Sequence, residues 1–237
     1  MIQSSFNYYI TLCLHIIGGE GMFQKLREPV SGLTHLFGAF MSVIALSILV
    51  TNSVFSNNVL GIVAFSIFGA SLILLYSASS IYHLSWVSKK AIKVLRRIDH
   101  SMIYILIAGS YTPICLIALK GAWGWSIFGT IWGLAVIGIL VKNFWFNAPR
   151  WLSTLFYTLM GWLLIIAIFP LSKVLPSGGM FWLFAGGIAY TVGAVIYATK
   201  WPRIPFKYFS FHETFHLFVL LGSFCHFWMM FKYVINI

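Results

Sequence analysis

Seven apolar runs dominate this chain: Ser31 to Val50, Val59 to His83, Ile98 to Leu119, Trp123 to Val141, Leu152 to Phe169, Phe181 to Ala198 and His212 to Ile235. Each is close to the ~20 residues that an α-helix needs to cross a bilayer. Their apolar character is continuous and does not alternate as in a lipid-exposed barrel strand, so helices are the spanning element. Asn52, Asn57 and Asn58, Lys120 and Gly121, Asn147 to Pro149, Pro176 to Gly179, and Pro202 with Pro205 mark the connections. No soluble domain is inserted between the runs. With 8% charged residues, four acids against fifteen Lys and Arg, the chain cannot cover a water-facing surface of its size. The predicted class is an all-α integral membrane protein of seven transmembrane helices, occupying residues 28–237.

The basic excess is mainly a topology signal. Lys25 and Arg27, then Lys89, Lys90, Lys93, Arg96 and Arg97, then Lys142 and Arg150, then Lys200, Arg203 and Lys207 fall on one side. Lys120, Lys173 and Lys232 fall on the other. The positive-inside rule therefore predicts a cytoplasmic amino terminus and an outside carboxyl terminus. The net charge of +11 calls for no nucleic acid, and the partners it implies are membrane lipids, with attraction to anionic headgroups secondary; nothing indicates a soluble protein partner.

Residues 1–27 read differently. Tyr8 to Ile17 is too short to span and lacks a basic leader, while Gly18-Gly19-Glu20-Gly21 before Met22 is what a translated purine-rich ribosome-binding stretch would give. The expectation is a natural start at Met22, with an interfacial helix as the alternative. An intact mass of the native protein that includes residues 1–21 would refute that start. Cys13, Cys115 and Cys225 show no metal or disulfide spacing and read as packing residues.

The alternating topology brings the remaining acids and most histidines to the cytoplasmic leaflet. Glu28, Ser31 and His35 lie at the start of the first helix, Ser79 and His83 at the end of the second, Asp99 and His100 at the start of the third, and His212, Glu213 and His216 at the start of the seventh. His212 and His216 are one helical turn apart, about 6 Å of rise, so their imidazoles share a face and can share an ion. Ser79 and His83 repeat the spacing. Three neutral imidazoles leave a fourth zinc position for water, with Asp99 as a candidate base and Ser79 as an orienting hydroxyl. Asp99 could instead pair with Arg96 or Arg97. Glu213 has two readings: a capping box with Ser210, or the acid of an H-E-x-x-H peptidase motif. Glu28, just before Pro29, reads locally as a helix-start cap. His15, His100 and His226 read as structural or interfacial, His226 lying roughly 15 Å of rise deeper than His216.

Glu28-Pro29-Val30-Ser31 with Thr34-His35, Ser79-x-x-x-His83, Arg97-x-Asp99-His100, and His212-x-x-x-His216 with Gly222-Ser223-x-Cys225-His226-Phe227 together resemble the hemolysin III family, the bacterial branch of the progestin and adipoQ receptor family. The resemblance runs from about Glu28 to the end. It implies a multi-pass protein of the bacterial plasma membrane with zinc near the cytoplasmic side, held by His83, His212 and His216, and with Asp99 and Ser79 beside the metal water. It also implies a link to membrane hydrolases that include alkaline ceramidases, and it does not require an acid at Glu213. Three functions follow as expectations: a zinc-dependent hydrolase of a lipid amide or ester, a non-enzymatic membrane-homeostasis or sensor protein with structural zinc, and a pore-forming cytolysin. The uniformly apolar chain argues against a secreted toxin.

Overall fold

The computed structural model describes residues 26–145, 149–202 and 209–237. The expectations for Met22, Cys13, His15 and Glu20, and the basic residues Lys25, Arg203 and Lys207, lie outside the described residues. Seven helices are long and apolar enough to span: α1 Pro29–Phe55, α2 Val59–Leu84, α3 Lys89–Leu119, α4 Gly121–Phe144, α5 Trp151–Ser172, α6 Ser177–Thr199 and α7 Phe211–Asn236. The seven-helix expectation is therefore met.

Consecutive helices pack as neighbours, most extensively α1 on α2, α2 on α3, and α6 on α7, and α7 returns to pack on α1. α3 is the most enclosed of the seven. Phe37, Phe40, Phe144, Ile166 and Phe169 point outward, as lipid-facing side chains do. Cys115 and Cys225 are buried free thiols, as the packing reading holds.

α3 begins nine residues before the apolar run. Ser88 caps it, its hydroxyl accepting from the Ala91 amide at 3.3 Å, and Lys and Arg are good helix formers, so the basic stretch continues the helix instead of forming a connection. Asp99 and His100 consequently lie within α3 and not at its start. The other departure is local. After Pro113 the last turn of α3 widens to a π-helix, Ile114–Leu119, and α5 tightens to a 3₁₀ stretch at Leu163–Ala167. Both breaks have physical causes. Pro113 and Pro170 each remove a backbone donor, and the Tyr111 hydroxyl enters the ladder of α5. It donates toward the Met160 and Gly161 carbonyls at 2.9 and 2.7 Å and accepts from the Leu164 amide at 2.9 Å.

Tyr111→Phe removes all three of these hydrogen bonds. The expected result is a loss of about 1–2 kcal/mol, read as a lower melting temperature in detergent with metal content unchanged. An unaltered melting temperature would contradict this account of the break.

Candidate metal centre

At one end of the bundle the start of α1, the end of α2 and the start of α7 meet. The Glu28 amide donates to the His83 carbonyl at 3.0 Å, fixing α1 to α2. Ser210 and Glu213 form a reciprocal capping box that opens α7. One Glu213 oxygen accepts from the Ser210 amide at 2.7 Å, while the other accepts from the Ser31 hydroxyl of α1 at 2.6 Å. Both oxygens are committed to holding helix ends together. The geometry thus favours the capping reading of Glu213 over the peptidase one.

The cap reading of Glu28 is overturned. It occupies the N-cap position of α1 but makes no capping bond. Its carboxylate instead accepts from His83 Nδ1 and lies 3.5 Å from Arg27 Nε. Pro29 has no amide hydrogen to cap, and a nearby imidazole offers a charge-assisted partner. Partial burial pushes this carboxyl upward, but the His83 hydrogen bond and the charges of His83 and Arg27 outweigh it and hold Glu28 below the usual carboxylate range.

His83, His212 and His216 form a group whose ligand atoms all lie within 4.8 Å of one another, so they could hold a metal ion. His83 Nε2 and His212 Nε2 are 3.4 Å apart. Tetrahedral zinc with nitrogen bonds of 2.0–2.1 Å places two donors about 3.4 Å apart, so this separation fits. Outer partners fix the ring orientations. His83 Nδ1 donates to Glu28, and His216 Nδ1 donates to the Ser31 carbonyl at 3.2 Å, which leaves each Nε2 lone pair for a metal.

His35 lies flat against His216, with ring centroids 3.6 Å apart and planes 11° from parallel. It is only 3% exposed, and neither of its ring nitrogens has a hydrogen-bond partner. Asp99 has the Ser79 side chain as its hydrogen-bonding neighbour, and Arg96 acts on it through its charge. The charge of Arg96 thus bears on Asp99, in keeping with the arginine reading.

A cavity of about 410 Å³ opens beside the histidines and runs along the bundle to His226. Asp99, Ser79, His212 and His216 line one end; Leu106, Ile107 and Val219 line its course. At the far end Gly186 lets His226 approach, since a Cβ there would fall 2.3 Å from the imidazole. Ser223 joins the Tyr76 and Tyr190 hydroxyls at 2.6 and 2.8 Å beside it.

Residues 23–227 match the model of the family described as Haemolysin-III related. The chain belongs to this family. It is 41% identical over 215 residues to the Hemolysin-3 of Bacillus cereus, covering 90% of this chain and 95% of that protein. It is equally 41% identical over 216 residues to the Hemolysin-3 homolog of Bacillus subtilis (strain 168), covering 91% and 98%. The Monocyte to macrophage differentiation factor of Rattus norvegicus is 27% identical over 176 residues, covering 71% and 69%, which supports the wider progestin and adipoQ receptor relationship. With its seven apolar helices, this hemolysin III family member is a multi-pass protein of the bacterial cell membrane.

The sequence-based set of Glu28, Ser31, His35, Ser79, His83, Asp99, His212, Glu213 and His216 gathers at one end of this family member. Sequence reasoning did not place four further residues on the cavity wall: Arg96, His100, Lys142 and His226. From the sequence alone Lys142 reads only as a topology charge, and His100 and His226 as structural or interfacial. The available signal was a lysine inside the last turn of an apolar helix and a histidine deep within another.

Proposed function

We propose that the chain is a zinc-dependent hydrolase acting on an amide or ester of a membrane lipid, with its amino terminus in the cytoplasm and its centre near the cytoplasmic leaflet. One observation carries this reading: the three-histidine group opens on a largely apolar cavity whose wall also holds Asp99 and Ser79. His83, His212 and His216 would hold the ion through ring nitrogens. A zinc ion bound there would supply Lewis acidity toward a carbonyl and lower the pKa of water. Asp99 takes the water proton on a carboxylate oxygen and returns it to the leaving nitrogen or oxygen. Ser79 holds that carboxylate in place. His35, packed on His216, limits the swing of that ring. The apolar walls exclude bulk water and seat the acyl chain.

The test is product release from a bacterial lipid extract by purified, metal-loaded protein beside a chelated sample. Metal-dependent release supports the reading. Stoichiometric metal with no release from any lipid class refutes it and leaves the ion structural, in a homeostatic or sensing protein. The name of the Bacillus cereus relative, Hemolysin-3, carries a second reading, cytolysis. Dye leakage from liposomes that persists in His212→Ala and Asp99→Ala favours a pore over the hydrolase.

Metal occupancy is expected to fall as pH drops through the histidine range, because protons compete for the ring nitrogens. The reference imidazole value is about 6.5. Glu28, held below the usual carboxylate range, stays ionised across that window, so the loss reports the histidines. Metal content measured after equilibration at stepped pH checks this; occupancy unchanged well below the imidazole range contradicts a three-histidine site.

A further inference from the structure

Lys142 is a charged side chain in an unusual position. It sits in the last turn of α4, is only 7% exposed, and lines the cavity. Its ammonium donates to the Ser153 hydroxyl at 3.2 Å, which uses one of three donors and supplies no countercharge. Arg96 of α3 lines the same wall, near enough for its charge to act on Lys142. Both cations also bear on His100 of α3, which lines the same cavity.

No acid of the described chain neutralises Lys142. Glu28 is engaged by His83 and Arg27, Glu213 by Ser210 and Ser31, and Asp99 has Ser79 as its hydrogen-bonding neighbour and lies in the field of Arg96. Glu20, the remaining acid of the sequence, lies outside the described residues. Burying an ammonium without a countercharge is costly unless an anion joins it. The cavity supplies the space for one, and Ser153 and Thr154 add hydroxyls to the same wall.

We propose that Lys142 and Arg96 form a subsite for the anionic group, phosphate or carboxylate, of an amphiphile whose hydrocarbon part lies along the cavity toward His226. The cavity volume of about 410 Å³ is within the range of small-ligand sites. Beyond Ser153 and Thr154 its lining turns apolar at Ile103, Leu106 and Ile107, so one end recognises charge and the course recognises hydrocarbon. As a statement about substrate class this rests on the hydrolytic reading; as a binding site it stands without it.

The experiment is calorimetric titration of the purified full-length protein in neutral detergent with dihexanoyl phosphatidic acid, dihexanoyl phosphatidylcholine and inorganic phosphate. The wild type is expected to prefer the anionic lipid by about ten- to hundredfold, the worth of one charge-assisted hydrogen bond. Lys142→Gln and Lys142→Met should remove that preference, and Lys142→Arg should keep it. Displacement of the lipid by phosphate identifies the anion alone as the recognised group, whereas lysine-dependent lipid binding without displacement identifies the lipid headgroup.

A wild type with no preference overturns the proposal, whatever the variants do. So does a preference that survives both neutral substitutions, or one that disappears on chelation and ignores Lys142, which would put the anion on the metal. Metal content measured on every variant shows that the bundle end is intact. Turnover is not read, so a failed hydrolase assay and a failed subsite are separate results.

Discussion

His212→Ala should leave the purified protein with less than about a tenth of the metal that the wild type carries, which is expected to be about one ion per chain. Two of the three ligands come from α7 and one from α2, so removing His212 leaves a single imidazole on each helix. Two neutral donors do not hold zinc against a chelator, while three with oriented outer partners do. The comparison needs a readout of folding as well. Metal that binds only the folded state adds about 2.7 kcal/mol at a hundredfold excess over its dissociation constant. Added zinc should therefore raise the melting temperature of the wild type and leave that of His212→Ala unmoved. His83→Ala should lose metal to the same degree and also release Glu28, which then loses its imidazole partner. Undiminished metal in either variant would remove the ligand assignment.

Asp99→Asn should keep the metal and lower lipid turnover by about 10²–10⁴, the usual contribution of a positioned general base. Asp99 is not one of the grouped ligand residues, so its removal separates chemistry from ion binding. The amide preserves shape and can still accept from Ser79 but cannot take a proton at neutral pH. Ser79→Ala should produce a smaller loss, because it frees the carboxylate without deleting it. Turnover that survives Asp99→Asn would transfer the base role elsewhere, and full retention of both metal and rate would end the proposed mechanism.

The helices were legible because bilayer thickness imposes a length and composition that few other constraints imitate. The start of α3 was not, since hydropathy locates the apolar part of a helix and Lys89 to Arg97 extend it beyond. The broken ladder of α5 was invisible for a different reason. Pro170 gave a local hint, but the hydroxyl that completes the break belongs to Tyr111, on another helix. Among the site residues, His212 and His216 were legible from spacing along one helix, and His83 from the level that alternating topology gives it. Glu28 carried a correct local sign, an acid before proline at a helix start, yet its side chain turns to an imidazole far along the sequence. Lys142 and His226 could be placed on a cavity wall only once α3, α5, α6 and α7 were assembled around it. Their residue types told of cost, not of location.

The sequence separation within the histidine group sets an order on biosynthesis. His83 and His212 are 129 residues apart, and the Ser31 to Glu213 contact that seats α7 on α1 spans 182. A ribosome delivers α7 after the other six helices. While the chain is still being threaded into the bilayer, His83 and its Glu28 clasp are in place without either of their partners. The three-histidine group can close only after α7 has inserted and found α1, so an ion held there would mark a chain in which all seven helices are in place.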